Sequence, residues 1–157
     1  LGHGLSVGSG IAWACKMNNE KFKVVVIISD AELYEGSVWE ALIFISHYKL
    51  VNLLVILDRN YQVVMNHTES FLKLEPLDKK LKSFNFEVKK INGNNLRELI
   101  DVFKKFKKKS SSKPKFIIAE TKKGKGIKFM ESNLKWHHSV PNLTQFNEGM
   151  KILKNEK

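Results

Sequence analysis

Two continuous apolar runs, Val24-Val25-Val26-Ile27-Ile28 and Leu53-Leu54-Val55-Ile56-Leu57, stand out from the polar background of this chain. They are too short for helices and rich in β-branched residues, so they read as strands buried on both faces. Phe116-Ile117-Ile118-Ala119-Glu120 is a third strand of this kind. Glu87-Val88-Lys89-Lys90-Ile91 reads as a shorter one ending in the turn Asn92-Gly93. Helical patterns fall between them. Gly4 to Lys16 predicts a helix whose small residues (Ser6, Gly8, Gly10, Ala12, Ala14) admit a close neighbour, and from Ser37 to Tyr48 the positions Val38, Ala41, Leu42 and Ile45 recur at helical spacing. Leu77 to Phe84 predicts a short helix, and Leu96, Leu99, Ile100, Phe103 and Phe106 mark one face of an amphipathic helix. A last helix is expected near Thr144 to Leu153. Tyr61 to Pro76 has no periodicity and is expected to be a loop over a site, and Lys107 to Lys115 an exposed connection. Strands separated by helices predict an α/β fold with a parallel sheet covered by helices on both faces, here as one domain over 1–157.

The picture sharpens at two strand ends. The first apolar run stops on Asp30 and the second delivers Asp58 and Asn60. Open parallel sheets bind ligands outside the carboxyl ends of their strands. A carboxylate and a carboxamide there suit a cation that prefers oxygen ligands, and a helix N-terminus beside them suits phosphate. The same two residue types also cap helices and make turns, so Asp30 and Asn60 by themselves leave both readings open.

Composition changes the picture only at its margins. With 157 residues and 43% hydrophobic content the chain can bury one core. The net charge is +11, yet only Arg59 and Arg97 are arginine among 27 basic residues. Nucleic-acid readers rely on arginine for bidentate contacts and interleave aromatic rings, so no nucleic acid is expected as partner. The lysine-rich surface still attracts sugar phosphates and diphosphates. Cys15 is the only cysteine and sits among small helical residues, which predicts a packing role and a reducing, cytoplasmic setting. No apolar run approaches the ~20 residues of a membrane span, and no basic-then-apolar leader precedes the domain, so no membrane is expected.

The string Glu32-Leu33-Tyr34-Glu35-Gly36-Ser37-Val38-Trp39-Glu40-Ala41, then Ser46-His47-Tyr48-Lys49-Leu50 and Asp58-Arg59-Asn60, closely resembles the thiamine-diphosphate motif of transketolases. Leu1-Gly2-His3-Gly4-Leu5-Ser6, Thr121-Lys122-Lys123-Gly124-Lys125-Gly126, Phe129-Met130-Glu131 and Trp136-His137 agree in order. The chain therefore resembles the cofactor-binding domain of a transketolase, especially the N-terminal subunit of those split into two chains. Deoxyxylulose phosphate synthase shares the layout, but Gly36 to Glu40 and Trp136-His137 look more like transketolase.

That resemblance implies roles for particular residues. Asp30, Asn60 and the backbone carbonyl of Gln62 would hold Mg²⁺ (or Ca²⁺) against the diphosphate of thiamine diphosphate. The amide of Ala31 would donate to phosphate. Glu35 would lie near the subunit interface and connect the two cofactor sites, although alone it is only an acid in the first turn of a helix. His137 would reach the diphosphate and the reacting substrate and is the catalytic candidate. Leu1 would meet the aminopyrimidine ring through its backbone, although by residue chemistry it is a core leucine; His3 and His47 read as packing or turn residues. The reaction implied is transfer of a two-carbon ketol unit between ketose and aldose phosphates. It needs a C-terminal transketolase subunit or domain, which carries the glutamate that activates the cofactor, in a dimer or heterotetramer. The resemblance begins inside the family domain, so its upstream segment has no counterpart here. Ser29, Ala31 and His138 stand where the family has glycine. Alanine at a position of positive φ costs on the order of 1 kcal/mol or more, which opens the alternative of a degenerate interaction protein with weak cofactor binding.

Overall fold

The computed structural model describes residues 1–64, 66–108 and 111–155. Four strands, β1 (Val24–Ser29), β2 (Leu53–Arg59), β3 (Glu87–Asn92) and β4 (Lys115–Glu120), form one parallel sheet in the order β1-β2-β4-β3. Helix α1 (His3–Met17) precedes β1, and α2 (Gly36–His47) carries the chain to β2. The short α3 (Thr68–Phe71) and α4 (Leu77–Ser83) lie between β2 and β3, α5 (Leu96–Lys108) leads to β4, and α6 (Leu143–Asn155) closes the order. The α/β fold and its parallel sheet agree with the sequence pattern. In the segment 61–76, expected to be loop, α3 forms a single turn. In the connection 107–115, Lys109 and Ser110 lie outside the described residues.

The period of two along each strand splits the apolar side chains between two layers. Leu53, Val55 and Leu57 join Val26, Ile28, Phe116 and Ile118 in a core closed by Leu5 and Ala12 of α1, Val38, Leu42 and Ile45 of α2, and Leu77 and Leu81 of α4. Leu54, Ile56, Ile117 and Ala119 face the other way, against Val102 and Phe106 of α5. Right-handed crossovers explain the division. The chain steps across the sheet in one direction from β1 to β2 to β3, then turns back to insert β4, so α5 lands on the opposite face. On that face the edge strand β1 leaves Val25 and Ile27 exposed, at 41% and 68%. Helix α1 sits close on β1 because Gly8 has no side chain: a Cβ there would collide with Cγ2 of Val26. Cys15 is buried at the end of this helix, as its small-residue setting predicts. Among the described residues no helix is long and apolar enough to cross a membrane.

Candidate functional site

The register of the sheet sets the site. Ser29 pairs with Asp58 across β1 and β2, and Asp58 and Arg59 pair with Ala119 and Glu120 of β4. Asp30, Asn60 and Thr121 therefore follow directly from three neighbouring strand ends. The loop after β4 is locked to β2, since the Thr121 amide donates to the Arg59 carbonyl at 3.0 Å and the Thr121 hydroxyl donates to the Asp58 carboxylate.

Asp30 opens a single 3₁₀ turn, Asp30–Tyr34, immediately after β1. Ser29, with extended backbone (φ −106°, ψ 166°), sits at its N-cap, and its amide donates to Glu32 Oε2 at 2.9 Å. Glu32 Oε1 also accepts from the amide of Gly2 at 3.3 Å. Ala31 lies inside this turn and is absent from the residues with positive φ. The backbone strain that alanine would suffer at a glycine conformation therefore does not arise, and the first turn keeps its amide-lined N-terminal end.

The Asp30 carboxylate is fully buried beside an equally buried guanidinium, with Arg59 Nη1 3.1 Å from Oδ1. The Tyr61 amide donates to Oδ2 at 2.6 Å. Burial pushes the Asp30 carboxyl above its ordinary value, and Arg59 opposes the shift without cancelling it. Arg59 is the hub of a larger network: Nη1 also donates to Thr68 Oγ1 at 2.9 Å, and Nη2 to Glu69 at 2.8 Å and Glu75 at 3.0 Å. The Tyr61 ring lies 4.1 Å from the guanidinium carbon. Tyr61 and residues 68–75 are thus tied to the end of β2, with Tyr34 donating to the carbonyls of Thr68 and Leu72 as well. None of these partners carries a periodic signal. The signal that could have found them is an arginine set between Asp58 and Asn60 at the end of an otherwise apolar strand, where an isolated charge needs acids nearby.

Asn60 is half-buried, and its Oδ1 accepts from the Gln62 amide at 3.0 Å, the turn geometry that residue chemistry alone allows. Gln62 is buried. The donor set of Asp30 carboxylate, Asn60 carboxamide and backbone carbonyl is all oxygen, which fits a hard divalent cation. Each oxygen already holding one N–H retains a second lone pair for such an ion. Among the described residues no three His, Cys, Asp or Glu side chains converge on a metal-sized site. A cation here would need further oxygen ligands from a bound molecule, and a chelating diphosphate supplies them.

The other predicted positions fall into two groups. Leu1 is 76% exposed rather than a core residue, which corrects the reading from residue chemistry. Its neighbour Gly2 (φ +77°) is pressed against the segment after Asp30: a Cβ there would lie 2.7 Å from Glu35 Cβ, and Ser37 Oγ donates to the Gly2 carbonyl at 3.0 Å. Glu35 is exposed and stands at the N-cap of α2, one residue before the first turn in which sequence reasoning put it. The structure thus gathers Leu1, Glu35 and the Asp30 turn on one side of the strand ends. His3 and His47 are exposed on α1 and α2, with the His47 ring edge-on to Tyr48.

His137 ends a second 3₁₀ turn, Leu134–His137, and meets the loop after β4 through Lys123, whose Nζ is 2.9 Å from His137 Nδ1; among the described residues no hydrogen bond or ion pair joins it to Asp30 or Asn60. An ammonium only donates, so Nδ1 is the acceptor and the ring proton sits on Nε2. Burial lowers the His137 pKa, and the Lys123 charge lowers it further. His138 packs edge-on against it, ring centroids 4.6 Å apart.

Residues 1–147 match the family described as transketolase, thiamine diphosphate binding domain. The chain is 40% identical over 156 residues to an apulose-4-phosphate transketolase subunit of Actinobacillus succinogenes, covering 99% of this chain and 56% of that protein. The protein of the same name from Phocaeicola vulgatus is 39% identical, over 96% of this chain and 53% of its own length. The chain spans about half the length of these curated relatives. Among solved structures, transketolase from Campylobacter jejuni superposes with a TM-score of 0.89 at 26% identity, covering 96% of this chain and 24% of that one.

Proposed function

The chain belongs to the transketolase family, as its thiamine-diphosphate-binding domain, and on that premise we propose that it is the N-terminal half of a split transketolase, cytoplasmic and active only with a C-terminal partner subunit in a dimer or heterotetramer. The observation that carries the reading is the pairing of β1 with β2, which sets the buried Asp30 and the half-buried Asn60 at adjacent parallel strand ends beside an N-terminal turn.

In this reading Asp30, Asn60 and the Gln62 carbonyl hold Mg²⁺, and the Ala31 amide donates to the diphosphate. Lys123 fixes the His137 tautomer so that Nε2–H is the proton presented to a diphosphate or sugar oxygen. The loop Thr121–Gly126 contributes lysine charge that favours a phosphorylated sugar. Thiamine diphosphate, when bound, supplies the carbon nucleophile that carries the two-carbon unit from ketose phosphate to aldose phosphate. This chain anchors and orients that group, and the partner subunit completes the chemistry. Two relatives are named for apulose 4-phosphate, which makes that ketose phosphate the first to offer.

The test is calorimetry of thiamine diphosphate with Mg²⁺ on the full-length chain assembled with its partner, followed by ketol transfer. Binding, with turnover only in the mixture, is the expected result. Absence of binding at millimolar cofactor would overturn the enzyme reading and leave a domain that kept the fold as an interaction module.

A further inference from the structure

Gln62 carries a feature that a backbone carbonyl ligand does not require. Its side chain is buried, with 4% of the residue exposed, and both Oε1 and Nε2 lack a hydrogen-bond partner among the described residues. An unmet buried carboxamide is costly, and such groups nearly always find a partner.

The backbone that carries this side chain is held on several sides. The Gln62 amide is held by Asn60 Oδ1, the Tyr61 amide by Asp30 Oδ2, and the Tyr61 carbonyl accepts from Thr68 at 3.0 Å. Gln62 also bridges to His67 in antiparallel fashion, and the Val63 amide donates to Asn66 at 2.8 Å. The backbone of Gln62 is thus held two residues beyond Asn60 and one beyond the residue that grips Asp30, and its carboxamide brings a donor and an acceptor with no partner among the described residues. A partner that satisfies both must present an acceptor to Nε2 and a donor to Oε1. A diphosphate oxygen is an acceptor, and a water in the shell of a divalent cation is a donor.

Resting on the cofactor reading above, we propose that the Gln62 side chain, and not only its backbone, is a binding residue for the hydrated metal–diphosphate group: Nε2 donates to a diphosphate oxygen and Oε1 accepts from a water in the metal's shell. The carboxamide is the cost the cofactor-free chain carries for a contact made on binding.

Gln62→Met removes both polar atoms at nearly constant length, and Gln62→Leu serves if the methionine variant does not fold. Two readouts move in opposite directions. Without cofactor the variant melts at the same temperature as the wild type or up to a few degrees higher, because the unmet amide is gone. With saturating Mg²⁺, and with the partner subunit present, its dissociation constant for thiamine diphosphate rises about tenfold or more, the loss of one charge-assisted hydrogen bond. A variant that binds as tightly as a binding-competent wild type overturns the proposal. So does a fall in cofactor-free melting temperature, which would mean that the amide is bonded inside the fold. If the wild type itself binds no cofactor, the functional reading fails first, and this inference with it.

Discussion

Replacing Arg59 with methionine tests how the charge at Asp30 is held. Both side chains of the pair are fully buried and lie 3.1 Å apart. Removing one member of such a pair strands the other charge, at a cost of roughly 3–5 kcal/mol. The remaining contacts add less, because Glu69 and Glu75 have side chains 35% and 39% exposed and recover water when the guanidinium leaves; each partly exposed pair contributes about 1 kcal/mol or less. Against a total of about 5–15 kcal/mol for a typical domain, Arg59→Met should remove a large fraction of the stability. Urea unfolding of the wild type, Arg59→Met, Asp30→Asn and the double variant measures this as a cycle. Asp30→Asn should cost less than Arg59→Met, since Arg59 keeps two carboxylates and Thr68 Oγ1. The double variant should be more stable than Arg59→Met alone, since the stranded carboxylate is gone. Millimolar Mg²⁺ with thiamine diphosphate should narrow the deficit of Arg59→Met, because a cation at Asp30 replaces the missing charge and binds only the folded state. A loss under about 1 kcal/mol for Arg59→Met, or a double variant no better than it, would refute the claim that Asp30 depends on this guanidinium.

Three further outcomes follow from single contacts. His137 titrates below its ordinary 6.5, through burial and then Lys123; its neutral form therefore contributes stability present above about pH 6.5 and lost as pH falls through the folded-state pKa. Lys123→Met should raise that pKa only part of the way back, because burial is the larger cause, and NMR titration of the imidazole protons reads it. Tyr61 is pushed up to about 12 by burial and by its hydrogen bond to Glu120. Glu120→Gln should lower the Tyr61 pKa without restoring the ordinary value, as followed by phenolate absorbance. In α1, Gly8→Ala drives a methyl group into Val26 and should cost roughly 1–3 kcal/mol, whereas Gly10→Ala meets nothing within 4 Å and should gain about 0.5–1 kcal/mol; equal effects in chemical denaturation would show that α1 does not sit on β1 as described.

How much of this was legible in the sequence depends on the range of the interaction that fixes each part. The strands and helices rest on local periodicity, so β1, β2, α2 and α5 appear within a few residues of their predicted bounds. Asp30 and Asn60 follow because both hang directly on those strands. Arg59 does not follow, because two of its acids, Glu69 and Glu75, come from a segment with no periodic signal, held in place by scattered contacts such as those from Tyr34 and Arg59. Ala31 misleads for the opposite reason: a substituted glycine suggests strain only if its φ is positive, and φ is a property of the 3₁₀ turn that the residue itself does not announce.

His137 shows both limits together. Its contact with Lys123 requires the chain to double back after β4, and Gly124 (φ +75°) makes that reversal: a Cβ there would lie 2.7 Å from the Met130 carbonyl oxygen. The returning stretch of loop is then secured by the Ser132 amide donating to the Lys123 carbonyl at 2.9 Å and by Glu131 pairing with Lys122 at 2.9 Å. In the sequence Gly124 stands out only as part of the string Thr121 to Gly126, and His137 as the catalytic candidate that the resemblance implies. Lys123, which joins them and sets which ring nitrogen carries the proton, looked like one lysine among many. A Gly124→Ala variant should therefore act on His137 at a distance: strain at positive φ and the clash with Met130 loosen the reversal, the Lys123 contact opens, and the imidazole pKa moves up toward its ordinary value while the parallel sheet stays folded. An unchanged His137 titration in a folded Gly124→Ala protein would show that the loop reaches its geometry without the glycine.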